Sequence, residues 1–189
     1  MADWTDRIDD DLRAVIEAQH VFFVATATAD SRINLSPKGM DTLRVLDETT
    51  VAYLDYTGSG NETATHVVHD GRLTMMLCRF DRKPDIIRLY GRGRLVPRGG
   101  EEWAELAHHW EVGPGARQLI VLDVEDVQTS CGYAVPVMEF VEDRQSLIKY
   151  AQNKGEDGMR EYRAKKNTAS IDGLPSPPSE VVAGPASSS

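Results

Sequence analysis

Cysteine is almost missing from this 189-residue chain: only Cys78 and Cys131 occur, and they form no Cys-x-x-Cys pair. That excludes a disulfide framework and leaves no zinc motif, so both are expected as reduced, buried thiols. No apolar run is long enough to span a bilayer, and the acidic stretch Met1–Asp11 lacks the apolar core of a signal peptide. The expectation is a cytoplasmic protein without membrane contact. Positive charge is also in deficit, with 21 Lys and Arg against 30 Asp and Glu and a formal net charge of -9. Bulk charge therefore argues against a nucleic-acid or anionic-membrane partner, although a single basic cleft stays compatible with it. No internal repeat is visible. His108-His109 has no carboxylate or cysteine at ligand spacing, so no metal site is predicted. Gly91-Arg92-Gly93 lacks the remainder of a dinucleotide fingerprint.

What is present reads as one domain, large enough to bury a core without staples. Ile8, Leu12, Val15 and Ile16 have helical spacing. Val21–Ala27 reads as a strand, Asp30-Ser31 as a turn and Arg32–Ser36 as the returning strand. Alternation places Ile33 and Leu35 on one face and Asn34 and Ser36 on the other, leading to Lys38. Pro37 is expected to end regular pairing. Met40–Leu46 is either a short strand or an excursion. Val51–Asp55 has strand composition, and Tyr56–Gly60 is a glycine-rich turn whose glycines permit backbone angles that residues with a Cβ resist. Asn61 is the candidate N-cap of a helix over Glu62–His69, in which His66 reads as a surface or capping residue.

Arg72–Phe80 and Ile86–Val96 are further strands. The arginines at 88, 92 and 94 line either an anion pocket or a solvated sheet face. Glu101–Trp110 is helical, and Leu119–Val124 and Val127–Val137 are the last strands. Arg144–Lys166 is a charged helix interrupted near Gly155 and Gly158. The domain is expected to span 1–174, and Pro175–Ser189 to form a disordered Pro/Ser-rich tail. Helices are missing between residues 21 and 56 and between 72 and 96, which excludes a doubly wound sheet. The chain is predicted to be mainly β (α+β), a barrel of about six strands with peripheral helices.

One stretch carries candidate chemistry. A helix start behind a glycine-rich turn presents unpaired N–H groups and a partial positive charge, which suits a phosphate. An ordinary capped strand-turn-helix connection explains the same spacing.

The blocks Ile33-Asn34-Leu35-Ser36-Pro37-Lys38-Gly39, Tyr53–Thr63 and Gly71–Met76 together resemble the pyridoxamine 5'-phosphate oxidase-like, FMN-binding split-barrel family. Arg88–Gly91, Ser130–Pro136 and Asn167–Pro175 resemble later blocks of the same subgroup. The resemblance implies a six-stranded split β-barrel and a homodimer with a flavin in each interface cleft, acting as an oxidoreductase on a small-molecule substrate. It implies Lys38, Thr57, Asn61 and Thr63 as phosphate and ribityl contacts, with Ser36 and Tyr56 beside them and Arg72 as a second cation. No catalytic residue is nominated. The chain departs from the oxidase pattern at Glu62 and Thr63, where the oxidase places an arginine and a lysine against the phosphate. A carboxylate there repels a phosphate unless it points away. Deazaflavin F420, haem or a non-catalytic flavin-binding role therefore stand as alternatives to FMN oxidoreductase chemistry.

Overall fold

The computed structural model describes residues 2–181. Eight strands form one antiparallel sheet: β1 (Asp3–Thr5), β2 (Val21–Thr26), β3 (Asn34–Gly39), β4 (Leu43–Val45), β5 (Thr50–Tyr56), β6 (Arg72–Cys78), β7 (Asp85–Pro97) and β8 (Ala116–Cys131). The helices are α1 (Asp10–Glu17), α2 (Glu62–His69), α3 (Glu101–Leu106) and α4 (Ser146–Lys166). The strand path runs β3-β2-β6-β7-β8-β5-β4, with β1 pairing β8 off this path.

The path dictates curvature. β3 and β4 are its two ends, yet only Met40, Asp41 and Thr42 join them. Seven flat strands would span about 29 Å, whereas a chain of four residue steps reaches about 14 Å at most. The sheet must therefore curl until its edges approach, which makes it a half-closed, split barrel. The junction is tight: Met40 and Asp41 both have positive φ, 64° and 52°.

Cross-strand register sorts the two faces. The rows Phe22–Leu77–Ile87 and Val24–Met75–Leu89–Val127 are buried and fill the barrel. The row Phe23–Met76–Arg88–Gln128–Trp4 lies on the opposite face and stays half-buried or exposed. β8 is buried on both faces in its first half. Ile120 and Leu122 enter the barrel core, while Leu119 and Val121 join a second cluster with Trp103, Leu106 and Trp110.

Several expectations change. The two predicted final strands are one continuous β8, and β3 runs through Pro37, which pairs with Phe23. An edge strand tolerates a residue without an N–H. Cys78 is buried but Cys131 is exposed, and both are free thiols. Arg92 and Arg94 face carboxylates, Arg92 near Glu125 and Arg94 near Glu102 and Asp123, while Arg88 bonds Gln128 and Ser130. Gly155 interrupts α4 with a non-helical φ of 69°. The predicted disordered tail divides: Ser176 bonds Thr65, Glu180 pairs with Arg163 and Val181 bonds Arg98, whereas residues 182–189 lie outside the described residues. Among the described residues no helix is long and apolar enough to cross a membrane.

Candidate functional site

β3 and β5 supply the polar wall of the barrel mouth. Asn34, Ser36 and Lys38 alternate onto the inner face of β3, while Leu35 and Pro37 point outward and are exposed. Lys38 reaches across to β5, where its Nζ donates to Asp55 Oδ1 at 2.8 Å. Asp55 is 2 % exposed and sits opposite a β-bulge. The register passes from Asp55↔Gln118 to Tyr56↔Ala116 and leaves Arg117 as the extra residue. A bulge sets two residues against one. Arg117 Nε and Gln118 Nε2 accordingly both donate to Asp55 Oδ2 at 2.8 Å.

This group sets the electrostatics. Burial alone would raise the Asp55 pKa, but Arg117 and Lys38 override it and hold the carboxyl well below its ordinary range. Two cations on one carboxylate leave one positive charge uncompensated in a largely buried setting. Lys38 also lies over the Tyr53 ring at 5.3 Å from the centroid. Burial, with the charge of Asp55 added, pushes the Tyr53 hydroxyl well above its usual pKa; Thr63 and Arg117 pull the other way.

The glycine-rich turn between β5 and α2 is held from behind. Arg117 Nη1 donates to Gly60 O at 3.0 Å, Asn167 Nδ2 to Gly58 O at 3.4 Å, and Thr57 N–H to Gly115 O at 2.8 Å. A trans peptide points its C=O and the next N–H in opposite directions. With the Gly58 and Gly60 carbonyls drawn inward, the Ser59 and Asn61 amides face away. Among the described residues, neither donates a hydrogen bond to another protein group. Gly58 and Gly60 do not adopt positive φ, and a Cβ at either would meet no atom within 4 Å. These glycines leave open space beside the turn.

Asn61 stands at the N-cap position of α2, but its side chain makes no capping bond. It turns inward and accepts from Gln118 Nε2 at 2.8 Å, so the side-chain cap expected from sequence is absent and the helix start is left open. Glu62, the residue that departs from the oxidase pattern, turns toward the C-terminal segment. Both its carboxylate oxygens accept the Ile171 N–H, at 3.2 and 3.1 Å. His66 is fully buried rather than on the surface; its Nδ1 lies 3.2 Å from Thr26 Oγ1. Its Nε2 is 3.4 Å from Glu62 Oε1, off the line of a hydrogen bond.

Of the residues singled out from sequence, Lys38, Thr57 and Asn61 meet in the Asp55 network and its turn. Ser36 and Thr63 belong to an adjoining polar group through Asn34, which accepts from Ser36 and donates to Thr63 Oγ1 at 3.0 Å. Tyr56 packs instead with the second apolar cluster. Arg72 stands apart. It pairs with Asp70 at 2.6 Å, and its neighbour Leu73 is level with Thr26, whereas Lys38 is level with Leu77 through Phe22. That separation is five residues, roughly 17 Å along the sheet.

Sequence reasoning missed Asp55, Arg117, Gln118, Arg163 and Asn167. A polar pair, Arg117-Gln118, directly ahead of the apolar run Leu119–Leu122 and opposite a strand with Asp55 near its end, was the available signal. Arg163 Nη1 donates to Thr57 Oγ1 at 3.3 Å, and Asn167 Oδ1 accepts from Arg117 at 2.8 Å. Only the fold brings α4 to this turn.

Known proteins resemble this chain at two levels, in fold and in sequence. Structures of HupZ from Group A Streptococcus and of a Lactobacillus delbrueckii protein classed with the pyridoxamine 5'-phosphate oxidases superpose with TM-scores of 0.52 and 0.53, at 21% and 17% identity. They cover 64% and 65% of this chain, and 91% and 94% of their own, and show the fold. In sequence, the pyridoxamine 5'-phosphate oxidase family protein ustO of Aspergillus flavus is 37% identical over 190 residues, covering 90% of this chain and 76% of that protein. The family profile described as pyridoxamine 5'-phosphate oxidase matches residues 8–131, a span that holds the curled sheet, the Asp55 network and the turn before α2. On that match and that relative, the chain belongs to the pyridoxamine 5'-phosphate oxidase family.

Proposed function

We propose that this protein binds FMN at the turn between β5 and α2 and works as an oxidoreductase on a small molecule, as a homodimer. The observation that carries the reading is the pair of turn amides at exposed Ser59 and buried Asn61, neither of which donates to another protein group among the described residues, beside the open space at Gly58 and Gly60. A nest of backbone N–H groups at an uncapped helix start fits a phosphate. The excess positive charge of the Lys38–Asp55–Arg117 group has the complementary sign. Glu62, bonded to Ile171, has its carboxylate occupied elsewhere.

In this reading Lys38 and the turn amides hold the phosphate, and Thr57, Asn61 and Thr63 shape the cradle. Bound FMN supplies hydride and electron transfer through its ring system. The chain's own contribution is to orient the cofactor and to set the charge around it. Arg72, exposed and paired with Asp70, is not assigned to the phosphate. Dimerisation is supported by the outer sheet face, where Phe23, Met76 and Tyr90 stay half-buried and Leu35 and Trp4 are 64% and 59% exposed. An apolar face of this kind marks an interaction surface.

Titration of FMN into the cofactor-free protein tests the phosphate assignment. Removing a charge-assisted hydrogen bond costs about 1.5–3 kcal/mol. Lys38→Ala is therefore expected to weaken FMN binding by about ten- to a hundredfold. Unchanged affinity would move the phosphate elsewhere. Reduction of bound FMN by a nicotinamide or organic donor, followed by reoxidation, would support catalysis. Binding without turnover across a donor screen would make the protein a flavin carrier or sensor instead.

A further inference from the structure

The family match ends at residue 131, yet the turn is held by residues beyond it. We propose that Arg163 and Asn167, at the C-terminal end of α4, are positioning residues that keep the turn amides aimed at the cofactor's phosphate. The inference rests on the FMN reading above and assigns a role within it to a segment outside the span of the family profile.

Five hydrogen bonds make the bracket. Asn167 bridges the turn and its support: its Oδ1 accepts from Arg117 Nη1 at 2.8 Å, and its Nδ2 donates to Gly58 O at 3.4 Å. The same Arg117 nitrogen donates to Gly60 O at 3.0 Å. Asn167 therefore orients the guanidinium that orients one peptide and touches the other peptide itself. Arg163 joins the turn to the last described segment, donating to Thr57 Oγ1 at 3.3 Å and to Glu180 Oε1 at 2.9 Å. Both side chains are buried, at 7% and 8% exposure. Neither peptide has another protein group holding its carbonyl inward among the described residues. Without the bracket, the Gly58 and Gly60 peptides are free to rotate, because glycine offers no side chain to oppose it. The amides would then lose their common direction. A preorganised cradle binds more tightly because the ordering is complete before the ligand arrives.

The test compares FMN with riboflavin, which lacks the phosphate, by fluorescence titration of wild type, Asn167→Ala and Arg163→Lys. Arg163→Lys keeps the cation and removes the fork that reaches both Thr57 and Glu180, and it serves where Asn167→Ala fails to fold. The expected result is a loss of about tenfold for FMN, with riboflavin affinity unchanged, so that the preference for FMN shrinks. An equal loss for both flavins would make the two residues merely structural and overturn the proposal. An unchanged preference for FMN in the folded variants would overturn it as well. Failure of wild type to bind either flavin would instead overturn the FMN reading on which the proposal stands.

Discussion

Asp55 gathers Lys38, Arg117 and Gln118 onto one buried carboxylate. Asp55→Asn would leave two cations facing a neutral amide. Breaking a buried pair in this way costs about 3–5 kcal/mol, which urea unfolding at neutral pH would measure. The pH dependence has a definite sign. The folded-state pKa of Asp55 is depressed, so its stabilisation is complete above the unfolded value near 4 and is lost as pH falls toward the folded one. The gap in stability between wild type and Asp55→Asn should therefore narrow below about pH 4. A constant gap down to strongly acidic pH would contradict the assignment. Lys38 was singled out in the sequence because it follows a polar alternation and lies in a block that resembles the family. Asp55 was not, since a lone acid at a strand end reads equally well as a solvated residue. Only the bulge, which needs the partner strand, shows that Arg117 and Gln118 converge on it.

At the scale of elements, the turn before α2 depends on a neighbour remote in sequence. Gly115 has a φ of 85°, and a Cβ there would come within 2.7 Å of Ala151 Cβ on α4, while its carbonyl receives the Thr57 N–H. Gly115→Ala combines a left-handed backbone with a clash. A cost of at least about 1–3 kcal/mol is expected, read as a lowered urea midpoint. Wild-type stability in this variant would show that the loop and α4 are not tightly coupled. Most elements were visible from periodicity, including α2 and its start at Glu62. Asn61 was correctly placed at the N-cap position but not in its role, because Gln118 competes for its side chain. The unity of β8 was hidden for a similar reason. Asp123, Glu125 and Asp126 break the apolar pattern at the place where the second apolar cluster stops covering one face. The end of α4 gave no site assignment, because Arg163 is ordinary in a charged amphipathic helix and Asn167, its C-cap and the first residue of a family-like block, had no evident role until the fold set both behind the turn.

The molecule as a whole is a curled sheet with one face filled and the other partly bare. The curl follows from a three-residue link between the two edge strands, and it brings Lys38 on one edge strand to Asp55 on the inner end of β5. The split-barrel fold was legible from strand count, hairpin spacing and the family resemblance. The two three-residue strands β1 and β4 were not securely readable, being too short for alternation to register. The bare face argues for self-association. Sedimentation equilibrium should return twice the 21.0 kDa chain mass, and Met76→Glu, in the middle of that face, should return the single-chain mass without unfolding the protein. A flavin-bound wild-type monomer would contradict the dimer.

On the reading proposed above, the turn between β5 and α2 is built for the phosphate of FMN. The absorption spectrum of the purified protein, with mass spectrometry of whatever heat releases, tests it most directly. The expected result is a flavin spectrum and release of FMN, or uptake of added FMN by colourless protein. A haem or deazaflavin spectrum, or a colourless protein that takes up no FMN, would contradict it.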